Sequence, residues 1–315
     1  MEINEKKKYV EITVEKASDL TALPPSLFTR FVFRGQGNKE WPLKTSLERM
    51  IDSYHNGNIG SYTPFEYEKN MLKEFKWKYP GYQTNPQMIP TEEQSIEWLS
   101  IMQHFGSKTR LLDFSSSLFI ALYMAIYGYS KTDAAIWALN TDMIKRPFKK
   151  EISKDNGIIC EDEINERIYK EAENCINDKT VVESNLKEKK LYVVYPKICN
   201  ERISRQQGLF ILPSNIAISF KATLSEYCKI DDPFNMGIDE FKKSEQIIDS
   251  YGSIKFIIPD KLRYESARLL QQMNISAETM YPGVEGLAKS MNCLRNISSN
   301  DNNFKTPNDI RRIIK

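Results

Sequence analysis

The sequence has few histidines and cysteines and no strong excess of either charge. Its 315 residues include 2 histidines, and its 5 cysteines are scattered without a Cys-x-x-Cys pair. This usage predicts neither a histidine-rich metal site, nor a zinc site, nor a disulfide framework. The net charge is only +2, from 44 Lys and Arg against 42 Asp and Glu. General nucleic-acid binders normally carry a much stronger basic bias, so this composition argues against that class.

Long apolar runs are missing as well. Residues 1–15 contain no apolar core of signal-peptide length, and the longest apolar stretch, residues 118–129, is too short to cross a bilayer. We therefore expect a cytoplasmic protein without a membrane partner, and we interpret residues 118–129 as a buried helix.

Hydrophobic residues make up 41% of the chain and charged residues 27%, which is ordinary for a globular protein. Strand-like and helix-like segments do not alternate regularly. Three strand-like runs, LYVVYP, GLFILP and IAISFKA, gather at 191–222. We expect an α+β fold with a mixed, mostly antiparallel sheet and flanking helices.

Helical spacing and end signals place two helices before residue 106. One lies in TPFEYEKNMLKEFKWKYPG, residues 63–81, and stops at Pro80-Gly81. The other lies in residues 91–106, where Thr91 followed by Gln94 resembles a capping box at its start. Residues 141–190 are rich in charge, and we expect an exposed insertion there. The sequence thus predicts one domain over residues 1–297 and a polar tail over 298–315.

The stretch FVFRGQG, residues 31–37, ends an apolar strand-like run with Arg34 between apolar residues and glycine. A guanidinium fork suits phosphate or carboxylate, and glycine lets a ligand approach the backbone closely. Arg34 therefore has two interpretations, an anion-binding residue or a partner in an internal ion pair with Asp113.

The stretch QHFGSKTRLLDFSSS, residues 103–117, is dense in polar side chains. His104 is either a hydrogen-bonded structural residue or a site residue. Arg110 and Asp113 are either a buried structural pair or part of a ligand site. Asp113 or one of the serines at 115–117 caps the helix that follows.

Two later stretches hold neutral amides and carboxylates. ERISRQQGLFILP, residues 201–213, carries Gln206 and Gln207, which suit a base, an amide or a ribose, or else cap a turn. SAETMYPGVEGLAKS, residues 276–290, carries Glu278 and Glu285 in a Pro-Gly turn region, and Glu285 also suits a helix start. The sequence does not decide which of these four side chains lines a site.

Taken together, FVFRGQ, QHFGSKTRLLDFSSSLFIALYMAIY, ERISRQQGLFIL and MYPGVEGLAKS resemble the FRG-domain family, named for its Phe/Tyr-Arg-Gly motif. The QHFGxxTRLLDFS block is the most specific part. The resemblance spans about residues 15–292, and the charged stretch 141–190 lies outside it. Members of the family occur mostly in bacteria and phages.

The layout is also similar, more weakly, to the ADP-ribosyltransferases, which implies NAD as substrate. In those enzymes an arginine on an early strand holds a phosphate or ribose of NAD, and Arg34 matches it. The resemblance implies that Arg34, His104, Gln207 and Glu285 carry the chemistry. It implies that the ligand is bound by Arg34, Gly35, Gln36, Thr109, Arg110, Asp113, Ser115 and Gln206. The chain lacks the Ser-Thr-Ser strand and the Glu-x-Glu motif of those enzymes.

The expected function is that of an effector in toxin action or antiphage defence, which uses NAD or another nucleotide for transfer or glycohydrolysis. A protein or a nucleic acid is then the target of modification. The alternative is a module that senses a nucleotide or another phosphorylated ligand without turnover. A protein that acts on nucleic acid is the second alternative.

Overall fold

The computed structural model describes residues 9–54, 61–82, 89–127, 131–156, 160–177, 189–228, 233–243, 248 and 251–298. Residues 299–315, which make up nearly all of the expected polar tail, lie outside the described residues.

The centre of the fold is an eight-stranded sheet with the order β5-β6-β3-β2-β4-β8-β1-β7. The strands are β1 Tyr9–Thr13, β2 Phe31–Gln36, β3 Leu112–Ser115, β4 Ala134–Asn140, β5 Leu191–Val194, β6 Gly208–Pro213, β7 Pro233–Asn235 and β8 Ser253–Ile258. The pairs β1–β7 and β1–β8 are parallel, and the other neighbouring pairs are antiparallel. The expected α+β class with a mixed, mostly antiparallel sheet is confirmed.

Helices flank this sheet. They are α1 Pro25–Arg30, α2 Ser46–Asp52, α3 Pro64–Lys78, α4 Ser95–His104, α5 Leu118–Ile126, α6 Thr141–Asn156, α7 Glu161–Asn177, α8 Glu201–Arg205, α9 Phe220–Cys228, α10 Ile238–Lys242, α11 Arg263–Gln272, α12 Ala277–Met280 and α13 Gly283–Ser298. Short 3-10 helices occupy Ala17–Ala22, Tyr79–Tyr82 and Asp260–Leu262.

The strand FVFRGQ has an apolar residue on both faces because the sheet is covered on both sides. Phe31 and Phe33 point into the core that contains α5, and Val32 points into a separate cluster with α9. This alternation follows from the two-residue period of a strand. The all-round apolar helix α5 is buried as expected, and its N-cap Ser117 accepts a hydrogen bond from the Ile120 N–H at 3.3 Å.

Two local expectations were wrong. Residues 216–222, expected as a strand, form a loop and the start of α9, where Phe220 and Leu224 bury one helical face. The helix expected from Thr91 begins at Ser95 instead. The Gln94 side chain does accept a hydrogen bond from the Thr91 N–H at 2.8 Å, but it does so in the turn before the helix.

In the charged stretch, helices α6 and α7 each pack one apolar face against the protein. In α7, Ile164, Ile168 and Ala172 are buried in a cluster with Trp98 of α4 and Tyr192 of β5. The expectation that this stretch is exposed is therefore wrong for that face of its helices. Charged residues outnumber apolar ones in this stretch, so its composition indicated exposure and did not show the buried face. That residues 141–190 are an insertion remains a prediction.

Candidate functional site: the Arg34 cavity

Arg34 lies inside a strand rather than at its end. It is the fourth residue of β2, which continues to Gln36, and it stands opposite Trp137 of β4. On the other side of β2, the pairing with β3 is limited, among the described residues, to Phe33 opposite Ser115. At Arg34 this β2–β3 pairing has therefore ended, and the Arg34 side chain bonds to the Asp113 carbonyl of β3 instead.

The Arg34 side chain is held mainly by a backbone group. Its Nη1 donates to the carbonyl oxygen of Asp113 at 2.7 Å. The Asp113 carboxylate is farther away, with Oδ2 at 3.9 Å from Nη1. The Arg34 side chain is only 19% exposed, whereas that of Asp113 is 63% exposed. This geometry is a loose, half-solvated ion pair, so it compensates the arginine charge only in part.

The guanidinium also has an unused donor. Arg34 Nε is buried and has no hydrogen-bond partner among the described residues. Burial lowers the pKa of Arg34 from its ordinary value, yet an arginine stays protonated in proteins. An unsatisfied buried donor costs roughly 1–3 kcal/mol. An acceptor supplied by a ligand would remove that cost.

Arg34 faces a cavity of about 300 Å³, which we call the Arg34 cavity. It lies where β2, β3 and β6 meet α4, α5 and α8. Its polar and charged lining residues are Arg34, Ser100, Gln103, His104, Asp113, Ser115, Asn200, Arg202 and Gln206. Of the residues predicted from the sequence, the structure brings Arg34, Gly35, His104, Asp113, Ser115 and Gln206 together here.

A chain of side chains orients Asp113 at the cavity. The hydroxyl of Thr109 donates to Gln103 Oε1, and Gln103 Nε2 donates to Asp113 Oδ1 at 2.6 Å. Thr109 itself is fully buried and does not line the cavity. Thr109 therefore acts on the site through Gln103 rather than by touching a ligand.

His104 ends α4 and stacks edge-on against Phe105, with ring centroids 4.9 Å apart. Burial, and after it the positive charge of Arg202, lowers the pKa of His104 below its usual value. His104 is therefore neutral at pH 7, which suits a hydrogen bond to a ligand hydroxyl better than the binding of a phosphate.

Ser115 and Gln206 link the cavity wall to later parts of the chain. Ser115 Oγ donates to the Gln206 carbonyl at 2.8 Å. Gln206 Nε2 donates to the Met280 carbonyl at 3.2 Å. Both residues line the cavity, and these bonds also give them a structural role.

Two further predicted ligand-binding residues, Arg110 and Gln36, have other surroundings. Arg110 is 1% exposed and forms a buried ion pair with Glu68, which raises the pKa of Arg110 against the opposing effect of burial. It is not part of the cavity lining. Gln36 is buried, where its Oε1 accepts from Trp137 Nε1 at 3.0 Å. The structure therefore does not bring Arg110, a predicted ligand-binding residue, to the cavity that Arg34 lines.

Gly35 lines the cavity, but its lack of a side chain serves packing. A Cβ at Gly35 would lie 2.0 Å from the Ala121 carbonyl oxygen and 2.5 Å from the Ala125 nitrogen of α5. The sequence suggested that the glycine leaves room for a ligand. The structure fills that space with the backbone of α5.

The remaining predicted residues lie outside the lining. Gln207 is exposed in a left-handed conformation with φ of 46°, and its carbonyl accepts from the Ser116 N–H. Glu285 forms an ion pair with Lys289 at 2.6 Å. The hydrogen bond from Lys289 is the main cause that lowers the pKa of Glu285. Glu278 Oε1 accepts from Ser290 Oγ at 2.8 Å.

Sequence reasoning missed four polar residues of the cavity: Ser100, Gln103, Asn200 and Arg202. Gln103 is the first residue of the block QHFGSKTRLLDFS, and Arg202 is the second residue of ERISRQQ. Both therefore stood inside the stretches already singled out, but neither carries a signal that separates it from its neighbours.

Residues 29–134, about a third of the chain, match the family model described as FRG domain. The chain contains an FRG domain. The matched FRG segment supplies β2, α4, β3 and α5, and therefore Arg34, His104 and Asp113. The cavity is completed from outside the match by α8 and β6. A search of curated proteins and a search of solved structures each found no match. No helix within the described residues has the length and apolar character needed to span a membrane.

Proposed function

We propose that the Arg34 cavity binds a nucleotide through an anionic group, and that NAD is the substrate of an FRG-domain effector of the toxin or antiphage type. The observation that carries this proposal is the state of Arg34. The charge of Arg34 is loosely paired, and its buried Nε has no acceptor among the described residues. Arg34 also lines the cavity. Phosphate oxygens satisfy both the charge and the donor.

The cavity volume limits what enters. About 300 Å³ lies at the lower end of the roughly 300–1,000 Å³ typical of small-molecule sites. It accommodates one half of a dinucleotide, and the other half then rests at the mouth. We place the nicotinamide riboside half inside, where neutral His104 is available to a ribose hydroxyl.

Within the described part of the chain, Asp113 is the one carboxylate in the cavity lining. We assign it the role that the sequence gave to Gln207 or Glu285. In the reaction, the bond between nicotinamide and ribose C1′ breaks, and nicotinamide leaves with the bonding electrons. The oxocarbenium-like centre then takes an electron pair from water or an acceptor nucleophile, whose proton passes to solvent. A carboxylate near C1′ stabilises the developing positive charge.

The test is to incubate the purified protein with NAD and a cell lysate and to follow nicotinamide release by mass spectrometry. Arg34→Ala should abolish release and weaken NAD binding. Asp113→Asn should abolish release but bind NAD within about threefold of wild type, because it removes charge and not the carbonyl that holds Arg34. Glu285→Gln is the matched carboxylate control and should keep its activity. Release that persists in Arg34→Ala would contradict the proposal.

A second function, nucleotide sensing without turnover, is favoured by one observation. Asp113 is largely exposed, and its Oδ1 is already bonded to Gln103, so its capacity to act on a substrate is reduced. A sensor would bind NAD or another nucleotide in an Arg34-dependent manner and release no nicotinamide. A thermal-shift screen of nucleotides, with Arg34→Ala as control, separates this function from the enzyme.

A further inference from the structure

A second arginine faces the Arg34 cavity from a different element. Arg202 is the second residue of α8 and lines the cavity together with Asn200, the N-cap of that helix. Within the part of the chain that the structure describes, no carboxylate lies within 4.0 Å of the Arg202 guanidinium. By contrast, Arg205 of the same helix is paired with Glu201 and donates to the Thr279 carbonyl at 3.3 Å. Arg202 therefore keeps an available charge.

An aromatic ring positions Arg202 without neutralising it. The Arg202 guanidinium carbon lies 4.9 Å from the ring centroid of Tyr281, which is only 4% exposed. Lys289 Nζ lies 3.5 Å from the same centroid. A cation held on a ring keeps its N–H donors free for an anion. Tyr281 follows Met280, whose carbonyl is bonded to Gln206 of the cavity wall, so this support belongs to the same unit as the site.

The charges around the cavity favour an extended anion. Arg34 and Arg202 are two under-compensated cations on separate elements, and His104, which also lines the cavity, adds no third charge at pH 7 because its pKa is lowered. The carboxylates that act on them are Asp113 at 3.9 Å from Arg34 and Glu285, which is paired with Lys289. A single phosphate satisfies one guanidinium. Two guanidinium groups in one cavity suit two linked phosphates, whose charges also relieve the repulsion between the cations.

We infer that Arg34 and Arg202 together bind a diphosphate, so that the ligand is a nucleoside diphosphate or one of its conjugates rather than a mononucleotide. The nucleoside part of this inference rests on the proposed function. The diphosphate part rests on the two arginines alone and can be tested with inorganic anions.

The experiment is isothermal titration of the full chain with pyrophosphate, orthophosphate, ADP and AMP at fixed ionic strength. Pyrophosphate and ADP should bind at least about tenfold tighter than orthophosphate and AMP. Arg202→Ala should weaken pyrophosphate and ADP by about tenfold and leave orthophosphate and AMP within about twofold. Arg202→Gln, which keeps much of the side-chain length, should behave in the same way. Arg268→Ala removes one positive charge outside the lining and should change none of the four affinities by more than about twofold.

The outcomes separate the two proposals. If ADP and AMP bind equally and only Arg34→Ala weakens them, the diphosphate inference is wrong and nucleotide binding stands. If pyrophosphate binds in an Arg202-dependent manner and neither ADP nor AMP binds, the nucleoside part of the inference is wrong and the diphosphate site stands. If none of the four anions binds, the diphosphate inference is wrong, and nicotinamide release from NAD decides the proposed function separately.

Discussion

Substituting Gly35 by alanine tests why the FRG motif contains glycine. The added Cβ would lie 2.0 Å from the Ala121 carbonyl oxygen, which is about 1.5 Å closer than a normal contact of ~3.5 Å. The obstacle is backbone of α5, and the helix is fixed by a buried core. Side-chain rotation therefore cannot relieve the clash, and β2 and α5 must separate. Overpacking of this kind costs typically ~1–3 kcal/mol, and we expect Gly35→Ala to lie at about 3 kcal/mol or above.

Gly37→Ala is the matched control within the same motif. Its Cβ would meet nothing closer than a Trp41 ring carbon at 3.7 Å, an ordinary contact. We expect its free energy of unfolding to stay within about 0.5 kcal/mol of wild type. The assay is urea unfolding of wild type and both variants, followed by circular dichroism. Equal stability of the two variants would refute the packing explanation and return Gly35 to a role in ligand approach.

Three further perturbations have defined outcomes. Glu68→Gln leaves Arg110 as an uncompensated buried charge and should lower the free energy of unfolding by about 3–5 kcal/mol in urea; a loss below about 1 kcal/mol would contradict the buried pair. Burial raises the pKa of Glu48 in the folded protein. The stabilisation that protonated Glu48 gives is therefore complete below the pKa of Glu48 in the unfolded chain, and it is lost as pH rises through the pKa of Glu48 in the folded protein. Glu48→Gln should therefore unfold at higher temperature than wild type at pH 7 and not at pH 4, whereas an equal gain at both values would contradict this. The pKa of His104 is lowered, so its stabilising contribution is lost as pH falls below ~6.5; NMR titration of His104 should give a midpoint below that of a free histidine, and one above it would refute a neutral His104 at pH 7.

Local sequence patterns predicted the elements whose burial follows a simple period. Continuous apolar runs predicted β2 and α5, and helical spacing that ends at Pro80-Gly81 predicted α3. Residues 216–222 failed because a short apolar run of four alternating residues fits a strand as well as the first turn of a helix.

The candidate site divides in the same way. The sequence pointed to Arg34 and Asp113 because they lie in the distinctive stretches FVFRGQG and QHFGSKTRLLDFSSS. Both residues line the cavity in the structure. Arg110 looked equivalent to Arg34, but its partner Glu68 lies 42 residues earlier in the chain. No local pattern shows an ion pair at such a distance. Arg202 was missed for the same reason, because its available charge depends on which carboxylates the fold leaves out of reach.

The bond between Arg34 and the Asp113 carbonyl separates two properties of the site that usually change together. Because a main-chain oxygen fixes the guanidinium, the identity of the side chain at position 113 does not decide where Arg34 points. A single substitution there can change the charge at the cavity from negative to neutral while the cation keeps its place. The charge at position 113 is thus independent of the main-chain bond that joins Arg34 of β2 to β3.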